Sequence, residues 1–435
     1  MTWIIVLATL AAVGLFLGGT PIWLILGLWV VAMQLVLDFP LANLGSSLFE
    51  GLNSYALLAM PLFILTGDLI GAGGVARRMS NFALASLGFL RGGYGMASIG
   101  ACGMFAAISG SNSATTATIG SITYPVMVEQ GYRKEFAAAT AAAGGTVGII
   151  IPPSIVFIIY GYVVSLPISE LFLAGIIPGS LMVLGMLLAC NRVSAARGYG
   201  KLVPFELGSI AKTLPGASIG IFAIVIVLAG IYAGVFSPTE ASGVTVAYCL
   251  FAGLFLTREL KLSALPFVLL RSGMIIGMLA PLIAVAIMVQ EIFAVMGVRE
   301  FLEAMIGHLG GGYFTTLAAM MLIILICGTF LESVPVTVIL APIFAPIATS
   351  IGMDPFHFAA VFLVGSAIGF ITPPYGLNLY VASGITSVPY FRIVRHIWFY
   401  LACLVVVWIV IAAIPELSTM LVKFAGLGGG GLLGR

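Results

Sequence analysis

The chain has 435 residues, of which 61% are hydrophobic and 7% are charged. A soluble domain carries about 25% charged and about 45–50% apolar residues, so this composition excludes a soluble globular fold. The formal net charge is +2 and no basic block is present, which excludes a nucleic-acid-binding protein. Because one helical crossing of a bilayer needs about 20 apolar residues, the sequence predicts an all-α polytopic membrane protein with room for about ten to twelve spans.

Apolar stretches that could form these spans follow one another along the whole chain. They cover residues 3–19, 21–37, 54–73, 94–127, 136–163, 170–191, 216–236, 238–256, 274–295, 312–349, 356–383 and 397–414. Two of them, 94–127 and 312–349, are too long for one span and have small polar residues at their centres. Each is predicted to be a re-entrant helical hairpin that enters and leaves on the same face of the membrane.

Two other stretches, 136–163 and 356–383, each contain a pair of consecutive prolines. The pairs are Pro152-Pro153 and Pro373-Pro374. Proline lacks an N–H donor, clashes with the preceding helical turn and moves the residue before it out of the helical region. Both stretches are therefore predicted to be broken helices that open near 148–153 and 369–374.

Basic residues between the spans predict the orientation. If each hairpin counts as no crossing, the basic loops from Arg77 to Arg395 fall on one side, and Arg299 is the internal exception on the other. The positive-inside rule makes the first side cytoplasmic. The prediction is a multi-pass protein of the bacterial inner membrane with both termini in the periplasm.

The two halves of the chain resemble each other at several markers with nearly constant separation. The pairs are Pro61 and Pro281 (220 residues apart), Tyr94 and Tyr313 (219), Gly148 and Gly369 (221), and Pro153 and Pro374 (221). The span count gives the two halves opposite orientations, which predicts an inverted-topology repeat of the kind found in secondary transporters. The predicted units are a first repeat over 1–192, a cytoplasmic connector over 193–215, a second repeat over 216–416 and a flexible tail over 417–435.

Each half combines a polar hairpin tip with an opened helix, and this combination predicts the functional site. An opened helix frees peptide carbonyls, which cost several kcal/mol each in hydrocarbon unless they are satisfied. A hard cation satisfies such oxygens, and the hydroxyl and amide oxygens of a tip complete its shell. Helix N-termini at the tips favour an anion. The sequence predicts two sodium-type sites on either side of one anionic-substrate site, while packing between helices remains the alternative for any single Ser or Thr.

One acidic residue, Glu332, lies at the centre of the second hairpin inside an apolar run. An ionisable residue within a membrane segment is a functional candidate by default, and a helix-capping carboxylate is the alternative. The five cysteines are isolated in apolar runs and show neither metal spacing nor a disulfide framework.

Several motifs together resemble the large membrane (DctM-type) subunit of a tripartite ATP-independent periplasmic (TRAP) transporter, and the resemblance covers nearly the whole chain. The motifs are the tip at 109–115, the break Gly148-x-x-x-Pro152-Pro153-Ser154, the segment 237–241 and the break Gly369-x-x-x-Pro373-Pro374-x-Gly376-x-Asn378. The resemblance implies a sodium-driven carrier with an elevator mechanism and no cofactor other than Na⁺ as coupling ion. It also implies a small membrane subunit (Q type) with about four spans, and a periplasmic binding protein (P type) that delivers an organic acid such as a C4-dicarboxylate or a sialic acid.

The resemblance also implies a distribution of ligands over this sequence. One sodium site would use Ser109, Asn112, Gly145, Val147 and Pro152. A second sodium site would use Gly328, Thr329, Gly365, Ile368, Thr372 and Pro373. The substrate would lie near Ser111, Ser154, Glu332 and Asn378.

Three other functions compete with this interpretation. A stand-alone sodium/divalent-anion symporter is the nearest, and a need for a binding protein would distinguish the two. An intramembrane enzyme is disfavoured because the sequence has no H-E-x-x-H motif and no pair of acidic residues that would face each other across the spans. A passive channel needs a continuous pore, whereas inverted hairpins favour a gated site.

Overall fold

The computed structural model describes residues 2–39, 44–200, 204–308 and 312–427, and every regular element within these ranges is a helix. Seven of the described helices are long and apolar enough to cross a membrane. A bent pair, Leu44–Leu52 with Ala56–Ala72 at 62°, provides an eighth candidate. The predicted all-helical membrane class is confirmed. The count is lower than ten to twelve because several apolar stretches form helices of only 10–17 residues.

The first half of the chain forms ten α-helices in the described residues. They are α1 (Thr2–Leu17), α2 (Ile22–Val36), α3 (Leu44–Leu52), α4 (Ala59–Ala72), α5 (Val75–Leu87), α6 (Gly93–Ser109), α7 (Asn112–Glu129), α8 (Lys134–Gly144), α9 (Ile155–Val164) and α10 (Ile168–Arg197). A 3₁₀ helix at Gly145–Ile149 continues α8. The stretch predicted as a hairpin is thus the α6–α7 pair, and the stretch predicted as a broken helix is α8 followed by α9.

The second half also forms ten α-helices in the described residues. They are α11 (Leu207–Tyr232), α12 (Pro238–Phe251), α13 (Leu265–Val295), α14 (Val298–His308), α15 (Tyr313–Phe330), α16 (Ser333–Ser350), α17 (Pro355–Gly369), α18 (Leu377–Thr386), α19 (Tyr390–Ala413) and α20 (Glu416–Leu427). The α15–α16 pair occupies the second predicted hairpin, and α17 followed by α18 occupies the second predicted broken helix.

Local sequence explains where several of these helices begin. Ser237 accepts a hydrogen bond from the amide of Glu240, whose carboxylate in turn accepts one from the amide of Ser237, and Pro238 occupies the first helical position of α12. This reciprocal arrangement is a capping box. At α17, the carboxylate of Asp354 accepts hydrogen bonds from the first free amides and Pro355 follows. Both signals can be read from the sequence, because capping depends on near neighbours.

Helices from the two halves interlock around the site. The second arm of one pair, α16, packs against α9, and α18 packs against α7 and α8. The long helices α10 and α19 contact each other, and both also contact α17. Helices α4, α5, α11, α12 and α13 form a neighbouring group, of which α4, α5 and α11 also pack on α6. The site therefore lies among buried helices, within one continuous apolar core.

Two predicted boundaries need correction. The segment predicted as a flexible tail begins with a helix, α20, which packs against α10 and α17, and residues 428–435 lie outside the described residues. The connector predicted over 193–215 is narrower, because α10 continues to Arg197 and α11 begins at Leu207. Of the residues between these two helices, 201–203 lie outside the described part of the chain. Both segments were predicted to be irregular from their glycines and charged residues, although helices extend into both of them.

Candidate functional site

The first hairpin tip is a tight turn that leaves a helix N-terminus facing the break. Helix α6 ends at Ser109, and Gly110 follows in the left-handed region with φ +57°, a conformation that costs glycine little. Ser111 then caps α7 by accepting a hydrogen bond from the Ala114 amide at 3.4 Å. The Ser109 and Thr115 hydroxyls lie 2.7 Å apart, so the turn is held by its own polar side chains.

The first break is buried, and a side chain of the break itself stabilises it. After the 3₁₀ segment the chain is irregular over 150–154, and α9 begins at Ile155. The Ser154 hydroxyl donates to the Ile149 carbonyl at 2.6 Å and accepts from the Phe157 amide at 3.4 Å. Ser154 is therefore both the cap of α9 and a bridge across the break.

The first tip and the first break touch through their backbones. A β-carbon on Gly148 would overlap the Ser111 carbonyl and the Asn112 amide nitrogen, and one on Gly145 would overlap the Thr116 hydroxyl. The Asn112 side-chain oxygen accepts a hydrogen bond from the Ile149 amide at 3.0 Å. Glycine at these positions permits the close approach, so the predicted ligands Asn112 and Gly145 belong to one contact region.

The second tip is more open. A short connection, Leu331-Glu332, joins α15 to α16, and the side chain of Glu332 is exposed. The Thr329 hydroxyl donates to the Leu325 carbonyl at 2.9 Å, within its own helix, and the Thr329 carbonyl accepts from the Gly376 amide at 3.2 Å. The second tip is thus tied to the second break by a backbone hydrogen bond.

The second break extends over 370–376, between α17 and α18. A β-carbon on Gly369 would overlap the carbonyl of Gly328, which repeats the contact made by Gly148 in the first half. The Thr372 hydroxyl donates to the Ile368 carbonyl at 2.8 Å. The predicted ligand Gly365 has a different neighbour, because the Trp408 ring fills the place where its β-carbon would be.

Free carbonyls occur at both breaks. Within the described part of the chain, the carbonyls of residues 150–153 and 371–373 accept no hydrogen bond. The predicted ligands Pro152, Thr372 and Pro373 belong to these two runs. The carbonyls of Val147 and Ile368 each accept two hydrogen bonds from protein groups, which occupy both lone pairs of each oxygen.

Buried polar atoms without partners gather at the same places. In the described residues they include the Asn112 side-chain nitrogen, the Asn378 side-chain oxygen and the hydroxyls of Thr116, Ser333 and Ser366. The Asn378 side-chain nitrogen donates to the Ala142 carbonyl at 3.2 Å, which leaves its oxygen free and links the two halves. A buried polar group without a partner costs about 1–3 kcal/mol, so this concentration marks a place for a polar ligand.

The chemistry of the donor set fits a hard monovalent cation and an anion. Among the described residues, no cluster of three or more His, Cys, Asp or Glu side chains could hold a metal ion. The available groups are neutral carbonyl, hydroxyl and amide oxygens, which suit hard cations, and amide N–H groups, which suit carboxylates.

The sequence analysis did not identify Thr116, Ser333 and Ser366 as site residues. Thr116 lies four residues after Asn112, and helical spacing of that kind was the signal available for it.

The whole chain matches a family of known proteins. Residues 3–417 match the family model of the tripartite ATP-independent periplasmic transporter, DctM component. The chain is 36% identical to the C4-dicarboxylate TRAP transporter large permease protein DctM of Rhodobacter capsulatus over 432 residues, which are 95% of this chain and 98% of that protein. It is 30% identical to the sialic acid TRAP transporter large permease protein SiaM of Vibrio cholerae, with 95% and 98% covered.

The fold is similar to that of a solved transporter. The crystal structure of the YdaH transporter of Alcanivorax borkumensis superposes with a TM-score of 0.62 at 15% identity, covering 90% of each chain. This likeness concerns the fold alone. The named relatives are transporter permeases, so the chain is a multi-pass transport protein and not an enzyme. It belongs to the DctM component family of tripartite ATP-independent periplasmic transporters.

Proposed function

We propose that this large permease uses a sodium gradient to import an organic acid anion across the bacterial inner membrane. The observation that carries the proposal is the pair of opened helices, each with a run of free carbonyls beside a polar tip. Oxygen-rich, uncharged surroundings suit Na⁺, which brings the charge that the protein lacks at these points. Coupling follows if the ions and the anion bind to the same buried region and cross together.

The first sodium site is assigned to Ser109, Asn112, Gly145, Val147 and Pro152, and the second to Gly328, Thr329, Gly365, Ile368, Thr372 and Pro373. Support is strongest for the groups next to free carbonyls, namely Pro152, Thr372 and Pro373. Support is weaker for Val147 and Ile368, whose carbonyls each accept two hydrogen bonds. It is also weaker for Gly365, which packs against the Trp408 ring. A backbone carbonyl at that residue is the only ligand it could offer.

The substrate is assigned to the space between the tips, near Ser111, Ser154, Glu332 and Asn378. The free side-chain N–H₂ of Asn112 is a donor suited to a carboxylate, while its oxygen already serves Ile149. The α7 and α9 N-termini, capped by Ser111 and Ser154, add partial positive charge. Since the compared relatives are named for C4-dicarboxylate and sialic acid, a carboxylate-bearing solute is the proposed cargo.

The proposed transporter assembly is based on the family to which the chain belongs and on the pairs of helices that recur in its two halves. Helices α6–α9 and α15–α18, with the free carbonyls, would form the mobile unit of an elevator, and the two halves would be inverted repeats with both termini in the periplasm. A small Q-type membrane subunit would widen the scaffold, and a P-type periplasmic protein would deliver the solute. These partners make the chain one part of a three-protein transporter.

Reconstitution tests the proposal. The permease and its small subunit are placed in proteoliposomes, and uptake of radiolabelled succinate and N-acetylneuraminate is measured with an inward Na⁺ or choline gradient, with and without the periplasmic protein. We expect uptake of one solute only with Na⁺ and the binding protein together. Sodium-dependent uptake without a binding protein would indicate the stand-alone symporter, and uptake without any gradient dependence would indicate a channel.

A further inference from the structure

Tyr390, the first residue of α19, reaches back to the second break. Its hydroxyl lies 2.6 Å from the Pro374 carbonyl and 2.9 Å from the Tyr375 carbonyl. A phenol has a single hydrogen, so the two carbonyls share one donor. The side chain therefore gathers two consecutive peptide oxygens of the opened segment around a single point.

The ring of Tyr390 is held in place by a small exposed aromatic cluster formed with Tyr375 and Tyr380. Tyr390 stacks on Tyr380 with ring centroids 4.5 Å apart and an interplanar angle of 24°, and Tyr375 lies 5.0 Å from Tyr380. The Tyr380 hydroxyl makes no hydrogen bond to the described residues, and its side chain is 45% exposed. Within this cluster, Tyr390 forms hydrogen bonds to the break, whereas Tyr380 contributes only ring stacking.

The middle of the break can be held only through its carbonyls, because Pro373 and Pro374 have no N–H. At the start of the segment, the amides of Ile371 and Thr372 donate to carbonyls at the end of α17. At its end, the Gly376 amide donates to Thr329, and the Asn378 amide donates to Phe370. Tyr390 supplies the tie between these two ends, at residues 374 and 375 on the exposed side. It occupies the carbonyls of residues 374 and 375 and leaves those of 371–373 without partners among the described residues.

We propose that the Tyr390 hydroxyl is a positioning residue for the second cation site: it fixes the open segment so that the carbonyls of 371–373 face the ion. This inference rests on the proposed sodium-coupled function. Without the tie, the segment would have to be ordered when the ion binds, and that ordering would weaken ion affinity. The hydroxyl itself does not contact the ion.

Among the described residues, the first break has no equivalent of this tie. Pro167 precedes α10 as Pro389 precedes α19, but the next residue is Ile168, which has no donor on its side chain. The first break is held instead by the buried Ser154 hydroxyl. Removal of the Tyr390 hydroxyl should therefore affect one ion site and leave the other intact.

The experiment compares Tyr390→Phe with Tyr380→Phe in the reconstituted permease complex. Each change removes one hydroxyl and keeps the aromatic stack. Initial uptake of whichever probe acid the wild-type complex transports is measured over a range of external Na⁺. For Tyr390→Phe we expect the Na⁺ concentration at half-maximal rate to rise about three- to tenfold, the usual range for one lost hydrogen bond, with the maximal rate retained. Tyr380→Phe should match wild type.

A second measurement needs no substrate: the thermal unfolding midpoint of the purified complex as a function of Na⁺. Tyr390→Phe should need more Na⁺ for the same stabilisation, with an unchanged midpoint in choline. An unchanged sodium dependence in both assays, equal shifts in both variants, or a lower midpoint without a sodium shift would each overturn the positioning role. Absence of any sodium effect in the wild type would instead overturn the proposed function, and the inference with it.

Discussion

The two helix breaks have the same backbone chemistry and different surroundings. At the first, Pro152, Pro153 and Ser154 are buried, and the bridging hydroxyl comes from the break itself. At the second, Pro374 and Tyr375 are exposed, and the bridging hydroxyl comes from another helix. The tips follow the same pattern, since Asn112 is buried and Glu332 is exposed.

An opened helix with free carbonyls can therefore be stabilised in two ways. A buried break is held rigidly by packing, and an exposed break is held adjustably by a few polar contacts. A buried break is fixed by packing, so changes to the groups that only support it, and are not themselves proposed ligands, should act mainly on stability. An exposed break depends on a few polar ties, so changes there should act mainly on ligand affinity. The predictions below test this division, beginning with the contact that both breaks share.

The largest effect is expected from the paired glycines. Gly148→Ala and Gly369→Ala would each drive a β-carbon into the backbone of the neighbouring tip, where no side chain can move aside. Overpacking of this kind costs about 1–3 kcal/mol or more, and displacement of the tip should reduce uptake by about tenfold or more. Initial uptake rates and thermal unfolding midpoints of the purified variants measure both consequences.

The control for these variants is Gly384→Ala in α18, because nothing lies within 4 Å of the added carbon there. It should retain wild-type uptake and stability. If either paired variant behaved like this control, the tight contact between tip and break would be wrong for that half. If only Gly369→Ala were tolerated, the exposed break would be able to yield where the buried one cannot.

Asn112→Ala should have the next largest effect. It removes a side-chain oxygen from the proposed first sodium site and leaves the buried Ile149 amide without its acceptor. We expect the sodium concentration for half-maximal uptake to rise about tenfold, with the fold retained because an unmet buried donor costs about 1–3 kcal/mol. Uptake titrated with Na⁺ measures the shift, and circular dichroism checks the fold. Normal sodium activation would remove Asn112 from the site.

Much of the architecture could be predicted from local sequence. The double prolines fixed both breaks, since no neighbour can supply the missing N–H of Pro152 or Pro373. Polar residues within long apolar runs located the turn after Ser109 and the Leu331-Glu332 connection. Each of these patterns depends only on residues a few positions apart, so it can be interpreted from the sequence alone.

Contacts between distant segments could not be predicted in the same way. The resemblance implied an ion ligand at Gly365, but nothing in the sequence indicated that this glycine packs against Trp408, which is 43 positions further along the chain. The C-terminal segment was expected to be flexible, yet α20 folds back so that the Ser418 hydroxyl lies 2.9 Å from a ring nitrogen of His357. Both outcomes depend on which surfaces meet after folding, and one sequence does not state that.

Ser154→Ala tests whether the buried break is a support or a ligand site. The hydroxyl already has two protein partners, so Ser154 would serve the substrate through the α9 N-terminus that it caps and not through a direct contact. Loss of the hydroxyl should therefore lower stability by about 0.5–2 kcal/mol, the usual cost of an N-cap, with little change in substrate KM. Thermal unfolding and uptake kinetics are measured together. Ser154→Thr, which keeps the hydroxyl, should recover much of the loss. A raised KM at unchanged stability would instead make Ser154 a direct substrate ligand.

The smallest effect is expected at the exposed tip, from Glu332→Gln. The change removes a carboxylate that lies at the protein surface and makes no hydrogen bond or ion pair to the described residues, so stability should change by less than about 0.5 kcal/mol. If an anionic solute passes this tip, loss of the repulsion should lower its KM about twofold, and more at low ionic strength because screening is weaker there. A dicarboxylate should gain more than a monocarboxylate, so KM values for succinate and N-acetylneuraminate at two salt concentrations measure the effect. A marked rise in KM would mean that the carboxylate assists binding through a cation, and the exposed break would then contribute to the substrate site directly.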